Sequence, residues 1–202
     1  MQKLGAATLA LFALLALVVP TGPLHVEQSW AELMMDLRTP FLTHVALIWN
    51  WLGHGIGRAL LIAVPGVVLL VSRRWLGAIV FALVEAVTPL VSTIVKAAVD
   101  RPRPPGGLVH PSGASFPSGH VSFTAATAVV LVLLFTAIGR HRPAWWTLAG
   151  AAIVLMAWSR TYLQVHWLLD VLGGALLGAG VALSVFAASS EGAFTPRLHR
   201  GR

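Results

Sequence analysis

From Trp75 to Val95 the chain carries a single charged residue, Glu85, and from Val121 to Ile138 it carries none. A run of about 20 apolar residues is what an α-helix needs to cross the hydrocarbon layer of a bilayer. Further runs of this kind extend from Leu4 to about Pro20, from Ala144 to Trp158 and from Trp167 to about Ala187, the last with Asp170 as its one charge. Only 10% of the residues are charged and 57% are hydrophobic, whereas a soluble domain carries about 25% charged residues. Too few charges remain to clothe a water-facing surface, which excludes a cytosolic soluble enzyme and a disordered chain. At about 20 residues per span, the 202 residues fill one bundle and leave no room for a second soluble domain. The expectation is an all-α polytopic membrane helix bundle of about six transmembrane helices, forming a single domain over residues 1–202.

The remaining segments read differently. Residues 25–40 mix Glu27, Glu32 and Asp36 with Leu33, Met34, Met35 and Leu37, the composition of a short amphipathic helix lying at the membrane interface. Phe41 to Val71 is apolar but broken by His44, Asn50, Gly53, Gly55, Gly57 and Arg58. It reads as an interfacial segment carrying Trp49 and Trp51, followed by a span from about Ile56. Asp100 to Gly119 is rich in Pro and Gly and must be a loop, because proline removes donors and clashes inside helices. The exit from the first helix at Val18, Val19 and Pro20 lacks the small residues of a signal-peptidase site, so that helix is expected to be retained.

Fourteen Lys and Arg stand against seven Asp and Glu, but basic residues in a membrane protein are first of all topology signals, and no nucleic-acid partner is expected. The short turns at Arg73/Arg74 and Arg140/Arg142 are where the positive-inside bias acts most strongly. They place the amino terminus in the cytoplasm of a multi-pass cell-membrane protein. With that parity Lys96, Arg103, Ser118, Gly119, His120, Arg160, His166 and Asp170 all gather at the outer, extracytoplasmic face. The chain has no Cys, which removes thiolate chemistry.

Those eight residues form a set with a chemical meaning. Guanidinium groups hold phosphate oxygens through paired hydrogen bonds, and lysine adds a point charge. Ser118 and Gly119 stand just ahead of a helix whose free N–H groups and positive end bind anions. His166 and Asp170 lie at i and i+4, on one helix face, so the carboxylate can orient the imidazole. His120 is free to donate a proton. A nucleophile, its orienter, an acid and a charge clamp are all present; the residues alone leave open which histidine attacks, although the acid at i+4 favours His166.

The spacings make the set more specific. Lys96 is followed by six residues and then Arg103-Pro104; Pro117-Ser118-Gly119-His120 follows; Ser159-Arg160, five residues, His166, three residues and Asp170 complete the series. In these three motifs, which match at every position, the chain resembles the type 2 phosphatidic acid phosphatase family over about residues 41–190. The resemblance implies metal-independent hydrolysis of a lipid phosphate ester or anhydride through a phosphohistidine, with no cofactor. It also implies His166 as nucleophile, Asp170 as its activator, His120 as the acid for the leaving oxygen, and Lys96, Arg103, Ser118, Gly119 and Arg160 as the phosphate cradle. The motifs read only the phosphate. Polyprenyl diphosphate is the favoured substrate, because a spent carrier is recycled at the outer face, with phosphatidylglycerophosphate or phosphatidate hydrolysis, or lipid phosphotransfer, as alternatives.

Two other classes compete. An anion transporter would want polar residues through the depth of several helices, and the interior is apolar apart from Glu85 and a few hydroxyls. A metal-dependent hydrolase ligated by His120, His166 and Asp170 is disfavoured by the surplus of nearby cations, which already supply a metal's electrostatic work. Glu85 is costly at mid-membrane, and is either a structural hydrogen-bonding group or a functional one. Arg101 reads as a secondary phosphate contact or a solvated loop residue, and His110 as a plain loop residue. The tryptophans read as interfacial anchors, and Gly173, Gly174, Gly178 and Gly180 as close-packing positions.

Overall fold

A computed structural model describes residues 1–136 and 142–194. Arg140, one of the residues used for orientation, lies outside the described residues. The described residues form eight helices and no strand: α1 (Gln2–Val18), α2 (His25–Asp36), α3 (Pro40–Leu52), α4 (Gly55–Val71), α5 (Trp75–Val99), α6 (Gly119–Phe135), α7 (Arg142–Tyr162) and α8 (Leu168–Phe194). The protein is thus an all-helical membrane bundle, and α1, α4, α5, α6, α7 and α8 fall in the order of the expected spans.

Length and hydropathy alone make α5 and the Leu168–Ser189 part of α8 able to cross a bilayer. The pair α3 and α4 passes the same test as one broken span bent by 54°. Thr39 starts α3 by accepting the N–H of Leu42 on its side chain, with Pro40 in the first turn, a strong start signal. The chain then breaks at Gly53–His54 and restarts at Gly55 with φ +51°, a left-handed conformation that glycine adopts without penalty. The interfacial segment foreseen before Ile56 is therefore a 13-residue helix. The foreseen third span also runs further than Val95, to Val99, where Asp100 closes α5 in a left-handed conformation.

Two helices make the centre. Along α6, Val121, Phe123, Ala125, Ala126, Val129, Val130, Val132, Leu133 and Leu134 are all buried, as expected of a helix that is apolar all round. Helix α8 lies against it at small residues. A Cβ on Gly174 would stand 2.7 Å from the Ser118 carbonyl oxygen, and one on Gly178 would overlap the Ser122 carbonyl oxygen. Backbones approach this closely in membranes only where side chains are absent. On the other side of α8, Gly180 receives Leu9 of α1. One end of this α5–α8 framework carries the loop 100–118 and the α7–α8 connection, and all the candidate residues lie there.

Candidate active site

Six of the eight candidate residues stand at helix ends, and Arg103 and His166 lie in the connections between helices. Lys96 sits in the last turn of α5. Ser118 is the residue before α6, Gly119 and His120 open that helix, Arg160 is in the last turn of α7, and Asp170 is in the first turn of α8. The Pro-rich segment is a loop, as its composition requires, and it is stitched down. The Ser115 N–H donates to the Arg101 carbonyl at 2.8 Å, the Leu108 N–H to Leu163 at 3.0 Å, and the Trp167 indole N–H to the Pro102 carbonyl at 3.0 Å.

His166 is buried, with Nδ1 3.5 Å from Asp170 Oδ2, longer than a well-formed hydrogen bond. Its Nε2 lies 3.3 Å from Arg103 Nη1. Guanidinium can only donate, so Nε2 is the lone-pair nitrogen and Nδ1 carries the hydrogen toward the carboxylate. Burial pushes the His166 imidazole down to about 3, overriding the upward pull of Asp170, and Arg160 and Arg103 push the same way. The neutral, nucleophilic form is the one that this environment favours. Arg103 is held in the loop by the carbonyls of Ser112, Gly113, Ala114 and Val165 at 2.8 to 3.2 Å, and Lys96 Nζ donates to the Ala114 carbonyl at 2.7 Å. Arg160 Nη1 donates to Asn50 Oδ1 at 2.6 Å. The imidazole of His120 stacks 6.3 Å from that of His54 and lies within electrostatic range of Arg160 and His166.

Three buried polar atoms in this cluster have no protein partner, Ser118 Oγ, His120 Nε2 and Arg160 Nε, and His166 Nδ1 has only its long contact with Asp170. Orphaned polar atoms are rare in protein interiors and call for a specific explanation. A hydroxyl, a guanidinium and an imidazole with atoms left unpaired, at a helix start with open space next to Gly119, suit a tetrahedral oxyanion. Among the described residues, no group of three His, Asp or Glu stands in a metal-binding arrangement.

Arg101 differs from expectation. It is neither solvated nor a phosphate contact: it is fully buried between two carboxylates. Its Nη1 donates to Asp170 Oδ1 at 2.8 Å and its Nη2 to Glu27 Oε2 at 2.6 Å. Burial would lower the Arg101 pKa, but the hydrogen bonds and charge of Glu27 and Asp170 raise it above its ordinary value. Glu27, expected on the polar face of α2, is equally buried. It also accepts the N–H groups of Leu24 and of Leu169, at 3.0 and 2.9 Å. Helix α2 is thereby pinned to the start of α8, and the second oxygen of Asp170 is held by the Trp167 N–H at 2.8 Å. Sequence reasoning missed the roles of Glu27 and Asn50 and the two carboxylate partners of Arg101. The available hint was a carboxylate in the first turn of α2, facing the α8 start only in the folded chain.

A helical membrane bundle with a buried, cation-ringed histidine–carboxylate pair at one end defines a membrane-bound phosphatase. The chain belongs to the PAP2 superfamily, whose family model matches residues 75–192. It is 30% identical over 174 residues to phosphatidylglycerophosphatase B of Bacillus subtilis, covering 83% of this chain and 85% of that protein. It is 40% identical over 73 residues to undecaprenyl-diphosphatase of Sulfolobus acidocaldarius, covering 36% of this chain and 32% of that one. The crystal structure of a transmembrane PAP2-type phosphatidylglycerolphosphate phosphatase from Bacillus subtilis superposes with a TM-score of 0.80 at 27% identity, covering 96% of this chain and 98% of that one.

Proposed function

We propose that the protein hydrolyses a lipid phosphate at the extracytoplasmic face of the cell membrane through a phosphohistidine on His166. The observation that carries this reading is a buried His166 with Arg103, Arg160 and His120 around it, while Ser118 Oγ, His120 Nε2 and Arg160 Nε are left without a protein partner. Nε2 of His166 attacks phosphorus, and the bond from phosphorus to the leaving oxygen breaks. His120 gives that oxygen its proton, then takes one from the water that cleaves the phosphorus–nitrogen bond and releases phosphate. Lys96, Arg103, Arg160, Ser118 Oγ and the Gly119 N–H cradle the equatorial oxygens. Three fixed cations supply the charge neutralisation that a metal would otherwise bring, so activity is expected to survive exhaustive chelation. Asp170, fixed by Arg101 and Trp167, orients His166 and supports positive charge on it as the phosphoramidate forms.

Both phosphatidylglycerophosphate and polyprenyl diphosphate are candidate substrates. The first is favoured, because the similarity to a phosphatidylglycerophosphatase runs through most of both chains, whereas the similarity to the diphosphatase covers only 73 residues. A purified-protein substrate panel separates them. Acid quenching should trap a phosphoenzyme in the wild type and none in His166→Ala; a phosphoenzyme persisting in that variant overturns the nucleophile. Sidedness is supported by the short basic turn Arg73/Arg74. A cysteine at Gly106 should be labelled by an impermeant reagent in intact cells and one at Arg142 should not; the reverse pattern puts the site in the cytoplasm.

A further inference from the structure

Glu85 is not part of the chemistry above, yet it does not stand alone in the bundle. Its Oε1 accepts a hydrogen bond from Thr127 Oγ1 at 2.7 Å, and it lines a cavity of about 170 Å³ between α4, α5 and α6. The same cavity is lined by Arg58, Thr88, Ser92 and, at its upper end, Lys96 and Gly119. Glu85 and Lys96 are eleven positions apart on α5, which is about 16 Å along the helix. The polar lining therefore begins at the proposed phosphate cradle and descends into the bilayer. Charged groups at that depth are costly and mark pathways or sites. The Arg58 guanidinium lies 4.8 Å over the Phe123 ring, a cation–π contact that holds the cation beside the cavity.

A lipid whose terminal phosphate occupies the cradle must send the rest of its head group downward, toward its tails. We propose that this cavity is a subsite for a second phosphate, one carried by the leaving group, with Arg58 as its principal contact and Glu85 as the carboxylate that balances its charge across the cavity. Two substrate types present such a phosphate: a diphosphate, across one bridging oxygen, and a glycerol-linked phosphodiester, one glycerol further down. Phosphatidate presents none, and leaves Arg58 without its anion. A site built to bind a polar group discriminates strongly against analogues that lack it. The inference rests on the cradle reading, and makes Arg58 a specificity determinant rather than a catalytic residue.

The test compares wild type, Arg58→Gln and Arg58→Lys in mixed micelles containing phosphatidylglycerophosphate, a polyprenyl diphosphate or phosphatidate. Loss of a charged hydrogen bond should lower kcat/KM of Arg58→Gln about ten- to a hundredfold on substrates with a second phosphate. On phosphatidate the loss should stay within about threefold, and Arg58→Lys should recover part of the difference. A loss confined to one of the two diphosphorylated lipids supports the subsite and fixes its spacing. If wild type turns phosphatidate over too slowly, inhibition by pyrophosphate relative to phosphate replaces it, and the preference for pyrophosphate should vanish in Arg58→Gln. Equal losses on every substrate, or no loss on any, overturn the proposal. Failure of the cradle reading is separate: it would appear as full activity in His166→Ala, whatever Arg58 does.

Discussion

The two histidines of the site are held in different ways. His166 stands on a built foundation: Asp170 beneath it, Arg101 beneath Asp170, and Glu27 beneath Arg101, with every carboxylate oxygen bonded. His120 has a second imidazole stacked beside it and a hydrogen bond with the Asn50 backbone, and its Nε2 is unpartnered. The contrast separates two requirements. A nucleophile that is to carry a phosphoryl group needs a fixed direction and a nearby negative charge, whereas a group that passes a proton out and then takes one back needs freedom to exist in both protonation states.

The largest disturbance of this contrast comes from Arg101→Ala, which leaves two buried carboxylates facing one another. Breaking a buried ion pair from one side costs about 3–5 kcal/mol, and thermal unfolding in detergent should show a loss of that order together with loss of turnover. Glu27→Gln keeps the shape, and should do less. Next in size is His120→Ala, expected to slow lipid hydrolysis about 10²- to 10⁴-fold while sparing an activated aryl phosphate, whose leaving group needs little protonation. An equally dead variant on both substrates, with fold intact, would remove the acid assignment. Gly53→Ala touches the His120 side alone. Its φ of −89° is open to any residue, but the added methyl would collide with the His120 ring, so a loss on the order of tenfold in kcat is expected for the misplaced ring, with the phosphoenzyme still forming.

The smallest effect is in pH. Protonated His166 cannot attack, so its titration gives an acid limb in kcat/KM that rises with pH. With the imidazole held down to about 3, that limb falls below about pH 5, and kcat/KM should change less than about twofold through His166 between about pH 5 and 7. A limb near the ordinary imidazole value that vanishes in Asp170→Asn would show that the carboxylate outweighs burial.

How legible this was in the sequence follows the same divide. The spans show in the sequence because each is a local run of apolar residues, and the candidate cluster because its three motifs have fixed spacing. The foundation under His166 is invisible there. Glu27 and Arg101 lie far apart along the chain, and each looks like a surface charge until α2 is folded against the α8 start; nothing in the local pattern tells a buried carboxylate from a hydrated one. The break at Gly53–Gly55 was readable as an interruption, but its use, giving His120 room and bringing Asn50 to Arg160, depends on where α3 packs.

The closeness of α6 and α8 bears on how the protein lives in membranes of unequal thickness. Spanning helices meet a thinner or thicker bilayer by changing tilt, and loosely packed helices would do so independently. Here the Ser118 N–H donates to the Asp170 carbonyl at 2.9 Å, and Gly174 and Gly178 let the two backbones touch. The pair tilts as one body, so the distance between the start of α6 and the histidine–carboxylate pair is set by the protein and not by the lipid around it.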